Sequence, residues 1–119
     1  MSGKLNVKRP DSITNEQERQ EFRHRIVTRC RDLLEGRIGV IEASRELSRS
    51  RFKADAENDP DLRVFVAIDS ETDHLPVGTD RREWAPDALE AKDREIREYE
   101  QASRDDAYRA ARSLLKKYS

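Results

Sequence analysis

Asp69, Glu71, Asp73 and His74 are the side chains of this chain best placed by type and spacing to do chemistry. Carboxylates at alternate positions match the first ligands of a calcium loop, and Asp80 falls at the twelfth position counted from Asp69. The match breaks where the loop is most demanding. His74 stands in place of the glycine that makes the sharp turn, and Asp80 is too short for the bidentate Glu. A transition-metal site would need His74, Asp73 and Asp69 to converge with the other histidine, His24, and the spacing does not supply that. Three positions apart in a loop, Glu71 and His74 can come within hydrogen-bond reach, so a small hydrolase using Asp69 to His74 is one alternative. No Gly-rich phosphate cradle or nucleophile signature completes such a site. The bland alternative is that Asp69 and Ser70 cap nearby backbone while the other acids are solvated. The expectation is a partner-binding surface of Asp69, Glu71, Asp73 and His74, with no catalytic, cofactor-binding or metal-ligating residue.

The charge distribution supports that expectation. From Asp55 to His74 seven carboxylates (Asp55, Glu57, Asp59, Asp61, Asp69, Glu71, Asp73) face one cation, Arg63. Met1 to Lys53 holds thirteen Lys and Arg against eight Asp and Glu, and Leu75 to Ser119 holds ten against ten. A chain of net charge −1 has thus gathered its negative field in one segment, where it would steer a cationic partner. Near-neutrality overall argues against general nucleic-acid binding.

At 119 residues, 34% hydrophobic and 41% charged, the chain suits a single domain with a lean core and helices buried along one stripe. The lone Cys30 excludes an internal disulfide or a cysteine-based zinc site, which suggests a reducing cytoplasm. No apolar run is long enough to span a membrane.

The elements that must position the acidic segment read as helices. Residues 1–13 are polar and aperiodic and predict a flexible tail, leaving 14–119 as one α-helical domain. Thr14 to Gln17 forms a capping box. Phe22, Ile26, Cys30 and Leu33 follow on one stripe, and Gly36 is placed to close the helix. Ile38, Ile41, Ser44, Leu47 and Phe52 predict the buried face of a second, antiparallel helix, with Glu42–Arg45 and Glu46–Arg49 pairs outside. Asp59-Pro60-Asp61 starts a short, almost fully buried third helix through Ile68, because no second strand exists to pair with that apolar run. Trp84-Ala85-Pro86 starts a last helix running to the end of the chain, about 50 Å long, with Trp84 as a staple against Leu89. Its stripe of Leu89, Ile96, Ser103, Ala107, Ala110 and Leu114 is thin enough to invite a homodimer through this helix. The fold class is all-α: a four-helix bundle-like arrangement with an N-terminal αα-hairpin, a short buried third helix and a long C-terminal helix.

The arginines of the first two helices are interleaved with acids and read as a solvated, salt-bridged face. Cys30, Phe65 and Trp84 read as core or staple residues.

The run from Leu33 to Leu47, through Ile38, Ile41-Glu42 and Ser44, resembles the helix-turn-helix opening of colicin D-type immunity proteins, small helical bacterial proteins of toxin–immunity systems. The resemblance covers about 15 of 119 residues. It implies an acidic-patched helical bundle that neutralises a cytotoxic nuclease by occupying its cationic active site. The loop from Asp69 to Gly78 and the long last helix depart from that pattern, so no binding residue is carried over. The expected function is a non-enzymatic protein-binding module, most specifically an immunity-type inhibitor of a basic toxin or nuclease domain. The alternatives are a self-associating helical adaptor or regulator and the small hydrolase.

Overall fold

The computed structural model describes the backbone of residues 2–119 and the side chains of residues 15–119. Four α-helices build an all-α fold: α1 (Ser2–Leu34), α2 (Val40–Ser50), α3 (Pro60–Glu71) and α4 (Pro86–Tyr118), with a 3-10 turn at Gly78–Glu83. Among the described residues there is no strand, and the apolar run Leu62–Ile68 is helical. The expected tail over 1–13 and the capping box at Thr14 fall outside the residues whose side chains are described.

α1 buries Ile26, Cys30 and Leu33 on one stripe, with Phe22 half-buried. It ends at Gly36, whose φ of 78° is open to a residue without Cβ. The Arg37 N–H donates to Asp32 O at 2.8 Å and the Gly36 N–H to Leu33 O at 3.1 Å, the paired bonds of a Schellman motif. α2 then packs back against α1 and touches α3 and α4 as well. Eight of its eleven residues are buried, including Ile41, Leu47 and the hydroxyls of Ser44 and Ser48. α2, rather than α3, is the most enclosed helix. α3 buries only Leu62, Phe65 and Ile68, while Ala67 is exposed and Val64 and Val66 are half-buried.

Two aromatic residues differ from expectation. Phe52 is 63% exposed, because the chain leaves α2 before completing another turn. Asp55 takes φ of 56° and the Ala56 N–H donates to Arg51 O at 2.9 Å, so Ala54 and Ala56 occupy the buried places. Trp84 is 36% exposed and lies outside the core.

α3 and α4 run antiparallel. Asp59 caps α3 by accepting the Asp61 N–H at 2.8 Å, with Pro60 in the first turn. From the far end of α4, Lys117 Nζ donates to Asp59 at 2.9 Å and to Asp61 at 2.7 Å, and the Tyr118 hydroxyl donates to Asp59 at 3.0 Å. α4 is continuous over 33 residues, but only Ala107, Ala110, Ala111 and Leu114 are buried. Those alanines let α1 and α4 approach closely around Ile26, Cys30 and Phe65. Leu114, expected on a dimer stripe, is fully buried inside one chain and unavailable to a partner copy.

Candidate partner-binding surface

The end of α3 is positioned by one arginine. Arg45, expected on the solvated face of α2, is instead buried and aims its guanidinium at the chain leaving α3. It donates to Thr72 O at 2.6 Å and to Leu75 O at 2.5 Å. Asp69 Oδ1 lies 3.8 Å from its Nε, and Asp80 Oδ2 lies 3.6 Å from its Nη1. A buried charge is stable only where its donors are satisfied, and here the Thr72 carbonyl at the C-cap of α3 and the Leu75 carbonyl of the turn after it accept them, beside the negative end of the helix. Its expected helix partner, Glu42, is not among these contacts. Glu46 likewise turns to Arg29 Nε, at 2.8 Å, and not to Arg49.

α4 holds the same segment from the other side. The Tyr99 hydroxyl donates to Glu71, and burial followed by that carboxylate raises the phenol's pKa above its ordinary value. His74 Nε2 lies 2.6 Å from Glu95, whose carboxyl is held below the usual range chiefly by that hydrogen bond and further by Lys92. Arg81, in the 3-10 turn, makes a two-pronged pair with Asp93 at 2.6 and 3.0 Å, which lowers the Asp93 pKa. Glu100 reaches α2: its carboxylate accepts the Ile41 N–H at 3.0 Å and caps a helix whose own cap residue, Gly39, has no side chain. A Cβ at Gly39 would come within 2.6 Å of Glu100 Oε2, so a larger residue there would push the carboxylate off the Ile41 N–H.

The acidic segment is therefore far less unbalanced in space than along the chain. Asp59 and Asp61 are matched by Lys117, Asp69 by Arg45, and Asp55 lies 3.8 Å from Arg19. Burial alone would raise the Asp59 pKa, but hydrogen bonds from Lys117, the Asp61 N–H and Tyr118 outweigh it and leave the pKa lowered. The Glu57 Oε2 is buried without a hydrogen-bond partner. Uncompensated repulsion among these acids holds only for part of the set.

What remains open to a partner is a corner at the C-terminal end of α3. The Asp73 side chain is 80% exposed, and the His74 Nδ1 lies 4.0 Å from its Oδ1. Glu71 and His74 are exposed but each already engaged by α4, and Asp69 is partly covered. Of the four expected residues, the structure sets Asp73 beside His74 at 4.0 Å, beyond hydrogen-bond distance, while Glu71 and His74 take different α4 partners instead of converging on one cleft. Among the described residues no cluster of three or more His, Cys, Asp or Glu is arranged to hold a metal ion. No helix among them is long and apolar enough to cross a membrane.

Asp93, Glu95, Tyr99 and Glu100 are the residues that reading the chain did not bring out. A signal exists: Asp93 and Glu100 fill the gaps of the α4 stripe between Leu89, Ile96 and Ser103, at spacings that face one side of a helix. Beside this surface lies a groove of about 470 Å³ where Glu42, Glu46 and Asp80 alternate with Arg45, Arg49 and Arg82, a mixed and largely self-neutralising lining. Compared with known proteins, the chain matches no family model, no curated protein and no solved structure.

Proposed function

We propose that the chain is a non-enzymatic protein-binding module that meets a cationic partner with the carboxylates at the C-terminal end of α3. One observation carries the reading. The last turn of α3 holds Asp69 and Glu71 and no basic residue, against the preference of a helix C-terminus for cations. Asp73 follows at once with four-fifths of its side chain in water. Arg45 offsets part of this unfavourable arrangement from within, but its charge is buried and directed at backbone carbonyls. The outward field of the corner stays negative. Such a field steers association and selects a partner more than it adds affinity.

In its most specific form the module is an immunity-type inhibitor, with Glu71 and Asp73 meeting the Lys and Arg that line a toxin or nuclease cleft. A cytoplasmic setting belongs to the same proposal, supported by a single cysteine that is buried and whose thiol is pushed up to about 12 by desolvation and by Asp61. A self-associating form would rely on Leu89 and Ile96, half-buried on α4, since Leu114 is in the core.

The test is affinity capture from the native cell, identification of the partner by mass spectrometry, and association kinetics with the triple variant Asp69→Asn, Glu71→Gln, Asp73→Asn. The partner should carry a basic cleft, and the variant should associate roughly tenfold more slowly at low salt. That difference should shrink at high salt, where screening has already weakened the wild type. Of the single variants, Asp73→Asn should slow association most, because Asp73 is the carboxylate held by neither Arg45 nor a hydroxyl of α4. Unchanged association of the triple variant would falsify the assignment.

A further inference from the structure

Between α3 and α4 lies a groove of about 430 Å³ that differs from the rest of the surface. α3 lines it with Val64, Ala67, Ile68 and Glu71. α4 lines it with Tyr99, Ala102, Ser103 and Asp106. Both sets follow the spacing i, i+3, i+4, i+7, so each helix turns one continuous face of two turns to the groove. Because the helices are antiparallel, Glu71 and Asp106 stand at opposite ends with the alanines between them. Ala67 and Ala102 are exposed, and their small side chains leave the floor open and apolar.

The charge of the lining is one-sided. Four other surface grooves all contain arginine, whereas this one contains neither Lys nor Arg. Arg109 lies 3.3 Å from Asp106, but both side chains are mostly in water, so the pair holds that carboxylate only weakly. An apolar floor two turns long with a carboxylate at each end is complementary to a helix with an apolar stripe and a cation beyond each end of it.

We infer that the α3–α4 groove is the docking site for one amphipathic helix of a partner protein, carrying Leu-sized residues into the space over Ala67 and Ala102 and Lys or Arg opposite Glu71 and Asp106. Helix-in-groove recognition takes its affinity from the apolar anchors and its orientation from the flanking charges. The inference rests on the proposed binding role, because Glu71 belongs to both surfaces, and it adds the shape of what binds.

The probe is a short synthetic helical peptide with Leu at i, i+3, i+4 and i+7 and Lys beyond each end, titrated into the full chain and followed by amide NMR. A twin peptide with Glu in place of Lys is the control. The Lys peptide should shift amides around Ala67 and Ala102 and bind roughly fivefold or more tightly than its twin, the scale of two exposed ion pairs. Ala102→Trp should abolish binding without lowering Tm, and Ala67→Arg serves as a second blocking variant on the opposite wall. Glu71→Gln with Asp106→Asn should erase the preference between peptides while leaving apolar binding. The inference is overturned by no binding, by equal binding of both peptides, by shifts elsewhere, or by binding that survives both blocking variants. Concentration-dependent shifts of the same amides without peptide would name a second copy as the occupant and also overturn it. Asp69→Asn with Asp73→Asn should leave peptide binding unchanged. If peptides fail while that variant still slows the captured partner, the binding role of the corner stands and the groove assignment falls. If the Lys peptide binds as expected while that variant leaves the partner unaffected, the groove assignment stands and the role of the corner falls.

Discussion

The two halves of α4 are held in place by opposite means. From Ala107 to Leu114 the helix is buried among Ile26, Cys30, Leu62 and Phe65 by apolar contact. From Asp93 to Glu100 it has no buried residue and is fastened by Arg81, His74, Glu71 and the Ile41 amide. Apolar burial is non-directional and strong, so the first half supplies stability. Exposed ion pairs and hydrogen bonds are directional and individually weak, so the second half supplies position. The acidic corner belongs to the positioned half, whereas the α3–α4 groove starts there at Tyr99, runs to Asp106 and rests on the core through Ile68. The proposed corner is thus separated from the core that keeps the chain folded, and the proposed groove is not.

The contrast between the halves is tested hardest at Phe65, which is fully buried. Phe65→Ala should destabilise the fold by about 4 kcal/mol through lost transfer energy and the cavity it leaves, as measured by chemical denaturation. A value near zero would mean the core is not where the stability lies. Arg45→Met should cost less, about 2 kcal/mol, because it strips the donor from the Thr72 and Leu75 carbonyls while the methionine keeps most of the packing. Its distinguishing mark is local: hydrogen exchange should accelerate over residues 69–80 more than in α1. Uniform acceleration would show that Arg45 is part of the core and not a clamp on the corner.

The smallest effect is on pH. The carboxyls of Asp93 and Glu95 have folded pKa values below their ordinary ones, the first because of Arg81 and the second because of His74. A lowered folded value means stability that is present above the unfolded pKa and lost as pH falls through the folded one. Tm should therefore be flat from neutral pH downward and decline below about pH 4. Asp93→Asn with Glu95→Gln should make that decline shallower. An identical decline in the variant would assign acid sensitivity to Asp59 and its Lys117 contact at the other end of α3.

The local part of this architecture is legible in the chain. Gly36, Asp59-Pro60 and Ala85-Pro86 mark helix ends where the structure has them, and the Ile26, Cys30, Leu33 stripe is the buried one. These features depend on neighbours within about two turns, which spacing records. The candidate surface is legible only as an excess of carboxylates. Which cation meets which acid is decided by packing across long separations: Arg45 to Leu75 spans 30 positions and Lys117 to Asp59 spans 58. Periodicity does not carry that information. Phe52 departs from expectation for a related reason, since an inward position requires α2 to continue past Ser50.

The cap that Glu100 places on α2 has a consequence for the order in which the chain folds. The amide it satisfies, Ile41, lies 59 positions earlier. α1 and α2 are close in sequence and can pair early, but the first turn of α2 stays frayed until α4 arrives, because Gly39 offers no cap of its own. Contacts across such long loops form late, since chain entropy must be surrendered before they return anything. Docking of α4 is then the step that completes α2, fixes the approach at Gly39 and brings Tyr99 to Glu71. The acidic corner would be the last region to take its final form during folding and the first to loosen during unfolding. Glu100→Ala would then leave the folding rate nearly unchanged and speed unfolding, the mark of a contact made after the transition state.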